Sequence, residues 1–223
     1  MNEPVYDPEY PPVTVIETIR GNVDDKMIAA FMRLHFNVVA ALPADKKHFV
    51  RPRDRADISR HFMAGHAGVV AMHGRNMVGQ LLLTQADGHA LKNMRDYPIG
   101  GDMSAEDTLT IQTVGLHENF RASAHKLKGG DLAVRLLDAA CAEAQAQGRA
   151  WVLGKTAQDN TGGQKVFQRA GFQPVGGFEQ RGADTYRSIF MAKAIPVAQG
   201  RKPAFEMGEP PAFLSRPSRV LSA

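Results

Sequence analysis

The stretch from Thr108 to Phe172 constrains the fold of this chain more than any other. Its hydrophobic pattern predicts a strand over Leu109–Leu116, then a polar loop rich in glycine and positive charge over His117–Gly130. A long helix over Asp131–Gln147, a second strand over Ala150–Thr156 and a short helix ending at Gly171-Phe172 follow. A helix entered from a glycine-bearing loop offers unpaired N–H groups and the positive end of its dipole. Such a loop is suited to holding a pyrophosphate.

The long helix of this stretch has an apolar stripe that recurs every three or four residues, formed by Leu132, Val134, Leu136, Leu137, Ala140, Cys141 and Ala144. This spacing predicts that one face of the helix packs on a sheet. Cys141 is the only cysteine, so it forms no internal disulfide, and its place in the stripe indicates a small core residue.

The rest of the chain adds strands and helices on both sides. Alternation predicts a first strand over Val13–Arg20. Two further strands, Gly68–His73 and Met77–Thr84, are joined into a hairpin at Gly74-Arg75-Asn76, and Phe172–Phe178 and Thr185–Ala194 flank the turn of a closing hairpin. Recurrence at three and four predicts a helix over Asp24–Leu42, capped by Asn22 and ended by Pro43. A shorter helix starts at Asp54 or Asp57 and ends at Gly65.

We expect three segments: an extended N-terminal arm over residues 1–12, one domain over 13–195 and a proline-rich tail over 196–223. The tail keeps the apolar residues Phe205, Phe213 and Leu214. It is either a disordered end or an arm that docks on a second copy or another protein. Within the domain, residues 86–107 form a long connection that could cover an acceptor cleft.

Composition excludes several classes of protein. The 223 residues are 43% hydrophobic and 22% charged, which is ordinary for a soluble globular protein. No long apolar run and no secretion signal occur, so we expect a cytoplasmic protein without a membrane contact. The eight histidines lack the spacing of a metal site, and no pattern of a nucleic-acid-binding module is present. We therefore expect no metal and no nucleic-acid partner.

Positive charge is concentrated between Lys46 and Arg60, which contains six bases. Such a patch attracts acidic ligands in some proteins, but is more often a solvated loop and helix start. The triad Gly154-Lys155-Thr156 has the last residues of a phosphate-binding P-loop. That motif requires a glycine where this chain has Arg149, so we exclude it.

The chain resembles the GNAT superfamily of acyl-CoA-dependent N-acyltransferases. The segment Lys128–Ala133, the pair Leu136-Leu137 and the stop at Gly148 follow the spacing of the family's motif A. Asn160 and Gly171-Phe172 fall where motif B has an asparagine and a glycine-phenylalanine pair. The resemblance implies an α/β (α+β) fold, with a mostly antiparallel mixed sheet of six to seven strands, splayed at the cofactor cleft and flanked by about four helices.

The resemblance also implies a reaction, in which an amine acceptor directly attacks the thioester of acetyl-CoA. The resemblance assigns cofactor binding to three groups of residues. The strand backbone is that of Val114, Gly115 and Leu116, and the motif B positions are Asn160 and Phe167. The pyrophosphate loop comprises Arg121, Lys126, Lys128, Gly129, Gly130, Asp131, Leu132 and Ala133. The acceptor is an amine of unknown identity, and the terminal arms are candidates for a homodimer or protein contact.

Three positions depart from the family pattern. Extra residues follow Phe120-Arg121, Asp131 stands at the central glycine of the loop, and Phe167 stands where the family has a tyrosine acid. Thr110 matches a frequent glutamate base. The acid and base must then come from other groups. The candidates are Tyr186, His117, Glu118, Asp107, or a water held by Thr110 and Gln112. The alternative is a non-catalytic GNAT-fold protein that binds CoA or a partner and serves assembly or regulation.

Overall fold

A computed structural model describes residues 15–21, 23–86, 91, 103–120, 131–180 and 186–196, and of residues 178–180 and 186 it describes the backbone only. The two terminal arms, most of the 86–107 connection and the turn at 181–184 lie outside the described residues. The same holds for five predicted cofactor residues: Arg121, Lys126, Lys128, Gly129 and Gly130. The predictions for these segments therefore stay predictions.

Within the described part, seven strands form one sheet with the order β1-β2-β3-β4-β5-β7-β6. The strands are β1 Val15–Ile19, β2 Ala67–His73, β3 Asn76–Gln85, β4 Thr108–Leu116, β5 Trp151–Ala157, β6 Gln173–Gln180 and β7 Tyr186–Ala194. Neighbouring strands are antiparallel except for the pair of β4 and β5, which is parallel. The predicted mixed, mostly antiparallel sheet is confirmed.

Four α-helices of the described residues flank the sheet: α1 Asp25–Ala40, α2 Arg55–Met63, α3 Leu132–Ala146 and α4 Thr161–Arg169. Two short 3-10 helices cover Ala44–Phe49 and Glu118–Phe120. The predicted number of helices is confirmed as well. None of the described helices is long and apolar enough to cross a bilayer.

One face of the sheet packs against α3 and α4. The predicted stripe of α3 is buried there, with Leu136 and Leu137 fully inaccessible beside Leu81 and Val152 of the sheet. Cys141 belongs to this core, as predicted, and burial raises the pKa of its thiol to about 11. The periodicity of α3 therefore reports its packing face correctly.

The opposite face packs against α1 and α2. Phe31 of α1 and Phe62 of α2 are buried with their ring centroids 5.3 Å apart, over Val70 and Leu82 of the sheet. Further along this face, Leu91 and Met103 of the long connection are buried with Leu153 of β5. The described residues of the connection thus cover the β5-β7-β6 half of the sheet.

The helix ends correct the sequence predictions in detail. The N-cap of α1 is Asp24 and not Asn22, since the Asp24 carboxylate accepts a hydrogen bond from the backbone N–H of Met27 at 2.8 Å. The helix ends at Ala40, before Leu42 and Pro43, and the next turn is a 3-10 helix where a loop was predicted. The cap of α2 is Asp54. Asp57, the alternative start, completes a capping box with it.

Candidate functional site

The sheet is open between β4 and β5. These two strands pair only over Thr108–Thr110 and Trp151–Leu153, and their register ends where Thr110 lies opposite Leu153. Beyond this fork, residues 111–116 of β4 and 154–157 of β5 border a cleft of about 830 Å³. Beyond Thr110 the β4 edge does not pair with β5, and an extended ligand can add to such an edge as a further strand.

A β-bulge in β4 lies directly beyond the fork. Leu83 pairs with Ile111 and Leu82 pairs with Thr113, so Gln112 is an extra residue in the strand. Bulges bend a strand and redirect its side chains, and they occur often beside active sites. Here the bulge accompanies the separation of β4 from β5 and directs Gln112 and Thr113 to the cleft.

The cleft is lined by α1 and the loop after it, β4, the start of α3, β5 and α4. Its lining residues are Val38, Leu42, Phe49, Val50, Arg51, Ile111, Gln112, Thr113, Val114, Leu116, Asp131, Ala133, Leu137, Lys155, Thr156, Asn160, Gly162, Gly163, Lys165, Val166, Phe167, Gln168 and Arg169. Six of the predicted cofactor residues are among them: Val114, Leu116, Asp131, Ala133, Asn160 and Phe167. Leu132 is instead buried in the core of α3, and Gly115 faces Val38 and Gln80.

Asp131 is the N-cap of α3, and two interactions hold its carboxylate in place. Its Oδ1 accepts a hydrogen bond from the backbone N–H of Ala133 at 2.9 Å, and its Oδ2 is 2.5 Å from a guanidinium nitrogen of Arg169. The carboxylate therefore caps the helix and is paired with a cation of α4. This pairing reduces the repulsion that a free aspartate would exert on a phosphate at the same helix end.

Asn160 caps α4 in a similar way. Its Oδ1 accepts a hydrogen bond from the backbone N–H of Gly163 at 2.9 Å. A Cβ atom at residue 163 would stand 2.7 Å from Asn160 Nδ2 and 2.9 Å from Thr156 Oγ1. Glycine at 163 is thus what lets the cap lie between α4 and β5.

Phe167, at the position of the expected tyrosine, is buried at 6% exposure and lines the cleft. Its ring packs edge-on against Phe172, with centroids 5.2 Å apart. The ring also lies against the backbone of Gly154, the first β5 residue beyond the fork. The residue that the sequence match assigns to the family's proton donor is thus a buried hydrocarbon ring at the cleft.

Two groups of cations lie on opposite sides of the sheet. Gly154 and Thr156 contact α4, so Lys155 between them points to the other face, because side chains alternate along a strand. Arg51, after the 3-10 helix, lines the cleft with Lys155. On the α4 side the cleft cations are Lys165 and Arg169.

Arg53 extends the first group toward the bulge of β4. Its Nε donates to Thr113 Oγ1 at 3.0 Å, and its backbone N–H donates to His35 Nε2 at 3.1 Å. His35 accepts at Nε2, so it is neutral; burial lowers its pKa, and the charge of Arg53 lowers it further. These bonds fix Arg53 between α1 and the bulge.

The candidate acid and base groups are dispersed. Thr110, His117 and Glu118 are not among the residues that line the cleft. The Thr110 hydroxyl is buried without a hydrogen-bond partner in the described part, His117 Nδ1 accepts from the Asn119 N–H at 3.4 Å, and Glu118 is exposed. Asp107 exchanges hydrogen bonds with Ser104, and the Tyr186 side chain lies outside the described residues. Among the members of the predicted catalytic set whose side chains the structure describes, only Gln112 lines the cleft.

The sequence prediction missed the cleft cations Arg51, Lys155, Lys165 and Arg169, although two signals were present. Arg51 belongs to the basic stretch, and Lys155 belongs to the triad that resembles the end of a P-loop. Neither signal specified the cleft, because only the tertiary fold brings the two residues together. Within the described part, no group of three metal-ligating side chains occurs.

Comparison with known proteins relates this architecture to a set of solved structures. No family model matches the sequence, and no curated protein matches it. The structure of yncA from Salmonella typhimurium, with its cofactor acetyl-CoA, matches with a TM-score of 0.57 at 15% identity, over 84% of this chain and 98% of that one.

Two further solved structures agree with this match. A GNAT superfamily phosphinothricin acetyltransferase from Sinorhizobium meliloti, in complex with acetyl-CoA, has a TM-score of 0.56 at 12% identity, over 82% of this chain and 89% of that one. An N-acetyltransferase from Staphylococcus aureus has a TM-score of 0.56 at 12% identity, over 81% and 99%. At these identities the likeness concerns the fold, and the chain described here has the GNAT fold.

Proposed function

We propose that this protein is an N-acyltransferase that transfers an acetyl group from acetyl-CoA to an amine. The observation that carries the proposal is the fork between β4 and β5, which opens a cleft of about 830 Å³ along the part of β4 that does not pair with β5. The likeness to acetyltransferases with bound acetyl-CoA supports it.

The residues of the cleft fit the parts of acetyl-CoA. The β4 edge from Val114 to Leu116 has the backbone groups that an extended pantetheine arm needs. The start of α3 supplies backbone N–H groups for the pyrophosphate, with Lys165 and Arg169 of α4 adding charge nearby. Lys126 and Lys128, which the sequence assigns to the preceding loop, complete this set in our proposal.

Bound acetyl-CoA would supply the acyl group as a thioester. The amine forms a C–N bond with the carbonyl carbon, the C–S bond breaks, and one proton passes from the ammonium to the thiolate. A neutral amine placed at the fork meets much of the entropic requirement, since positioning alone accelerates such reactions greatly. Phe167 has no ionisable proton, so we propose that water or another side chain protonates the thiolate.

The test of this proposal measures binding and transfer together. Calorimetry with CoA should detect binding to the wild-type protein, and a Lys126→Glu/Lys128→Glu double variant should lose most of it. The matched control is Lys46→Glu/Lys47→Glu, which makes the same change of charge elsewhere. These two lysines are exposed on the first 3-10 helix and do not line the cleft. Equal CoA affinity in all three proteins contradicts the assigned pyrophosphate site, and an absence of transfer to every amine tried contradicts the activity.

A second function is favoured by Phe167. A GNAT-fold protein that binds CoA without transferring its acyl group would have no need of a proton donor at this position. It would bind CoA in the same calorimetry experiment and release no thiol in the presence of amines. The two functions are therefore separated by turnover and not by binding.

The terminal arms carry a proposal of their own. We propose that residues 196–223 dock on a second copy of the chain or on another protein through Phe205, Phe213 and Leu214. Truncation after Ile195 should leave a folded domain with a changed mass in light scattering. An unchanged assembly state and unchanged partners in pull-down experiments would contradict this role.

A further inference from the structure

We infer that the amine acceptor carries an acidic group, a carboxylate or a phosphate, which binds to the cations Arg51, Arg53 and Lys155 on the α1–α2 side of the fork. This inference rests on the proposed acyl transfer and names the class of acceptor for the same cleft.

The first support is position. Lys155 follows Gly154, the first residue of β5 beyond the fork, and Arg51 lines the same cleft. Arg53 reaches the bulge of β4, where its Nε bonds Thr113 at 3.0 Å and a terminal nitrogen lies 3.5 Å from Gln112 Oε1. The three cations therefore flank the point at which β4 and β5 separate.

The second support is electrostatic. Lys155 is exposed overall, but the walls of the cleft desolvate its ammonium group enough to lower its pKa, and Arg51 lowers it further. Burial lowers the pKa of Arg53, and Arg51 again lowers it further, with only Asp57 acting in the opposite direction. These three like charges repel one another, and a bound anion would relieve the repulsion.

The third support is the lack of an acidic partner. In the part of the chain that the structure describes, neither Arg51 nor Arg53 forms an ion pair with a carboxylate. Asp159, two residues after β5, has its Oδ2 3.2 Å from His48 Nε2. An arginine without a carboxylate beside it in a cleft is suited to a carboxylate or phosphate of a ligand.

The phosphates of the cofactor do not account for these cations. The α3 end and the α4 cations Lys165 and Arg169, which we propose for the pyrophosphate, lie on the other face of the sheet. On the α1–α2 side, the cations that line the cleft are Arg51 and Lys155. The geometry thus separates a cofactor side from an acceptor side, and the acceptor side is cationic.

The binding test uses glutarate, a dicarboxylate without an amine, in calorimetry with and without CoA. We expect glutarate to bind the wild-type protein, and Arg51→Gln and Lys155→Gln to weaken this binding at least tenfold. Lys46→Gln, an exposed lysine of the neighbouring 3-10 helix, is the matched control and should bind as the wild type does. Circular dichroism confirms that each variant is folded. A failure of glutarate to bind, or equal binding by Arg51→Gln, overturns the inference.

The same variants separate the acceptor from the cofactor. Arg51→Gln should leave the affinity for CoA within twofold of the wild type; a tenfold loss would assign the cations to the cofactor and overturn the inference. In transfer assays, L-glutamate and L-aspartate should react at least tenfold faster than L-glutamine and L-asparagine. Equal rates for acids and amides overturn the inference while the proposed activity stands. If the protein neither binds CoA nor transfers an acyl group, the proposed acyl transfer is contradicted. The glutarate titration without CoA still tests whether the three cations bind an anion.

Discussion

The ring of Phe167 lies so close to the backbone of Gly154 that a Cβ atom at residue 154 would stand 2.4 Å from the ring Cε1 and 2.6 Å from Cζ. Gly154 follows the last β5 residue that pairs with β4. The missing side chain therefore lets a residue of α4 place its ring tip at the fork of the sheet. This contact links the packing of α4 to the geometry of the proposed active site.

Gly154→Ala should destabilise the protein by roughly 1–3 kcal/mol, the usual cost of overpacking a core contact. The Phe167 ring must move, because the contact is far shorter than a normal carbon–carbon distance. Phe167→Leu shortens the side chain and should relieve the clash, so the double variant should lose less than the sum of the single variants. Urea denaturation of the four proteins measures the coupling. Strict additivity would mean that the ring and the glycine do not meet.

Phe167→Tyr should fold and bind CoA as the wild type does, since the ring keeps nearly its volume and its tip lies at the cleft. If the protein is a slow enzyme, the new hydroxyl should accelerate CoA release at least tenfold, because a positioned proton donor contributes on the order of 10²–10⁴. Steady-state rates with a saturating amine measure the gain. A loss of CoA binding would show that the hydroxyl is buried without a partner and that the match to the family's tyrosine is wrong.

Asp131→Asn should bind CoA more tightly than the wild type. The amide oxygen can still cap α3 at the Ala133 N–H, while the negative charge is removed and Arg169 is freed from its ion pair. We expect a gain of a few fold in affinity by calorimetry, with thermal stability nearly unchanged. Asp131→Ala is the comparison, since it removes the cap as well and should cost about 1 kcal/mol of stability. Weaker CoA binding by Asp131→Asn would contradict this account.

Two adjacent glycines of α4 should respond oppositely to alanine. At Gly162 the nearest atom to a new Cβ is 3.8 Å away, so Gly162→Ala should be neutral or stabilise by roughly 0.5–1 kcal/mol through helix propensity. At Gly163 the new Cβ meets the Asn160 cap at 2.7 Å, and Gly163→Ala should destabilise by about 1 kcal/mol. Thermal denaturation of both variants measures the sign of each stability change. The same sign for both would mean that the cap does not require glycine.

Stability should fall in mild acid because of His61. Burial lowers the pKa of this histidine to about 4, even though its Nε2 donates to the Ala67 carbonyl at 2.8 Å. The unfolded chain, with a pKa near 6.5, then binds more protons, so stability is full above about pH 6.5 and declines as pH falls toward 4. Between pH 7 and 5 this group should cost roughly 2 kcal/mol. His61→Gln should show a shallower decline in urea denaturation, and an equal slope would contradict the assignment.

Much of the fold follows from local pattern. The apolar stripe of α3 reports its buried face directly, because it recurs with the period of a helix. The strands β2 and β3 are covered on both faces, so their residues are buried almost throughout and do not alternate. The edge strand β6 is less regular: its register shifts between Pro174 and Gly176, and it runs to Gln180, past the predicted end at Phe178. Proline is tolerated there because an edge strand need not donate on both sides.

The site was less predictable, since it depends on contacts between distant segments. Arg53 reaches Thr113, which is 60 residues away in sequence, and Asp131 pairs with Arg169 across 38 residues. A charged residue in a loop belongs to no periodic pattern, so the sequence does not indicate which residues it contacts in the folded protein. The role of Asp131 as a cap was readable from its place before an apolar helix, whereas its ion pair was not.

The burial of Cys141 in α3 has a practical consequence for enzymology. Disulfide reagents react with thiolates, and with a pKa of about 11 only on the order of one in a thousand of these side chains is ionised at pH 8. The chain has no other cysteine. In a solution of folded protein and acetyl-CoA, the thiol that a colorimetric disulfide reagent detects is then that of released CoA. Release of CoA can be followed continuously without a background signal from the folded protein. A signal of one equivalent without any acyl donor reports unfolding of the protein itself.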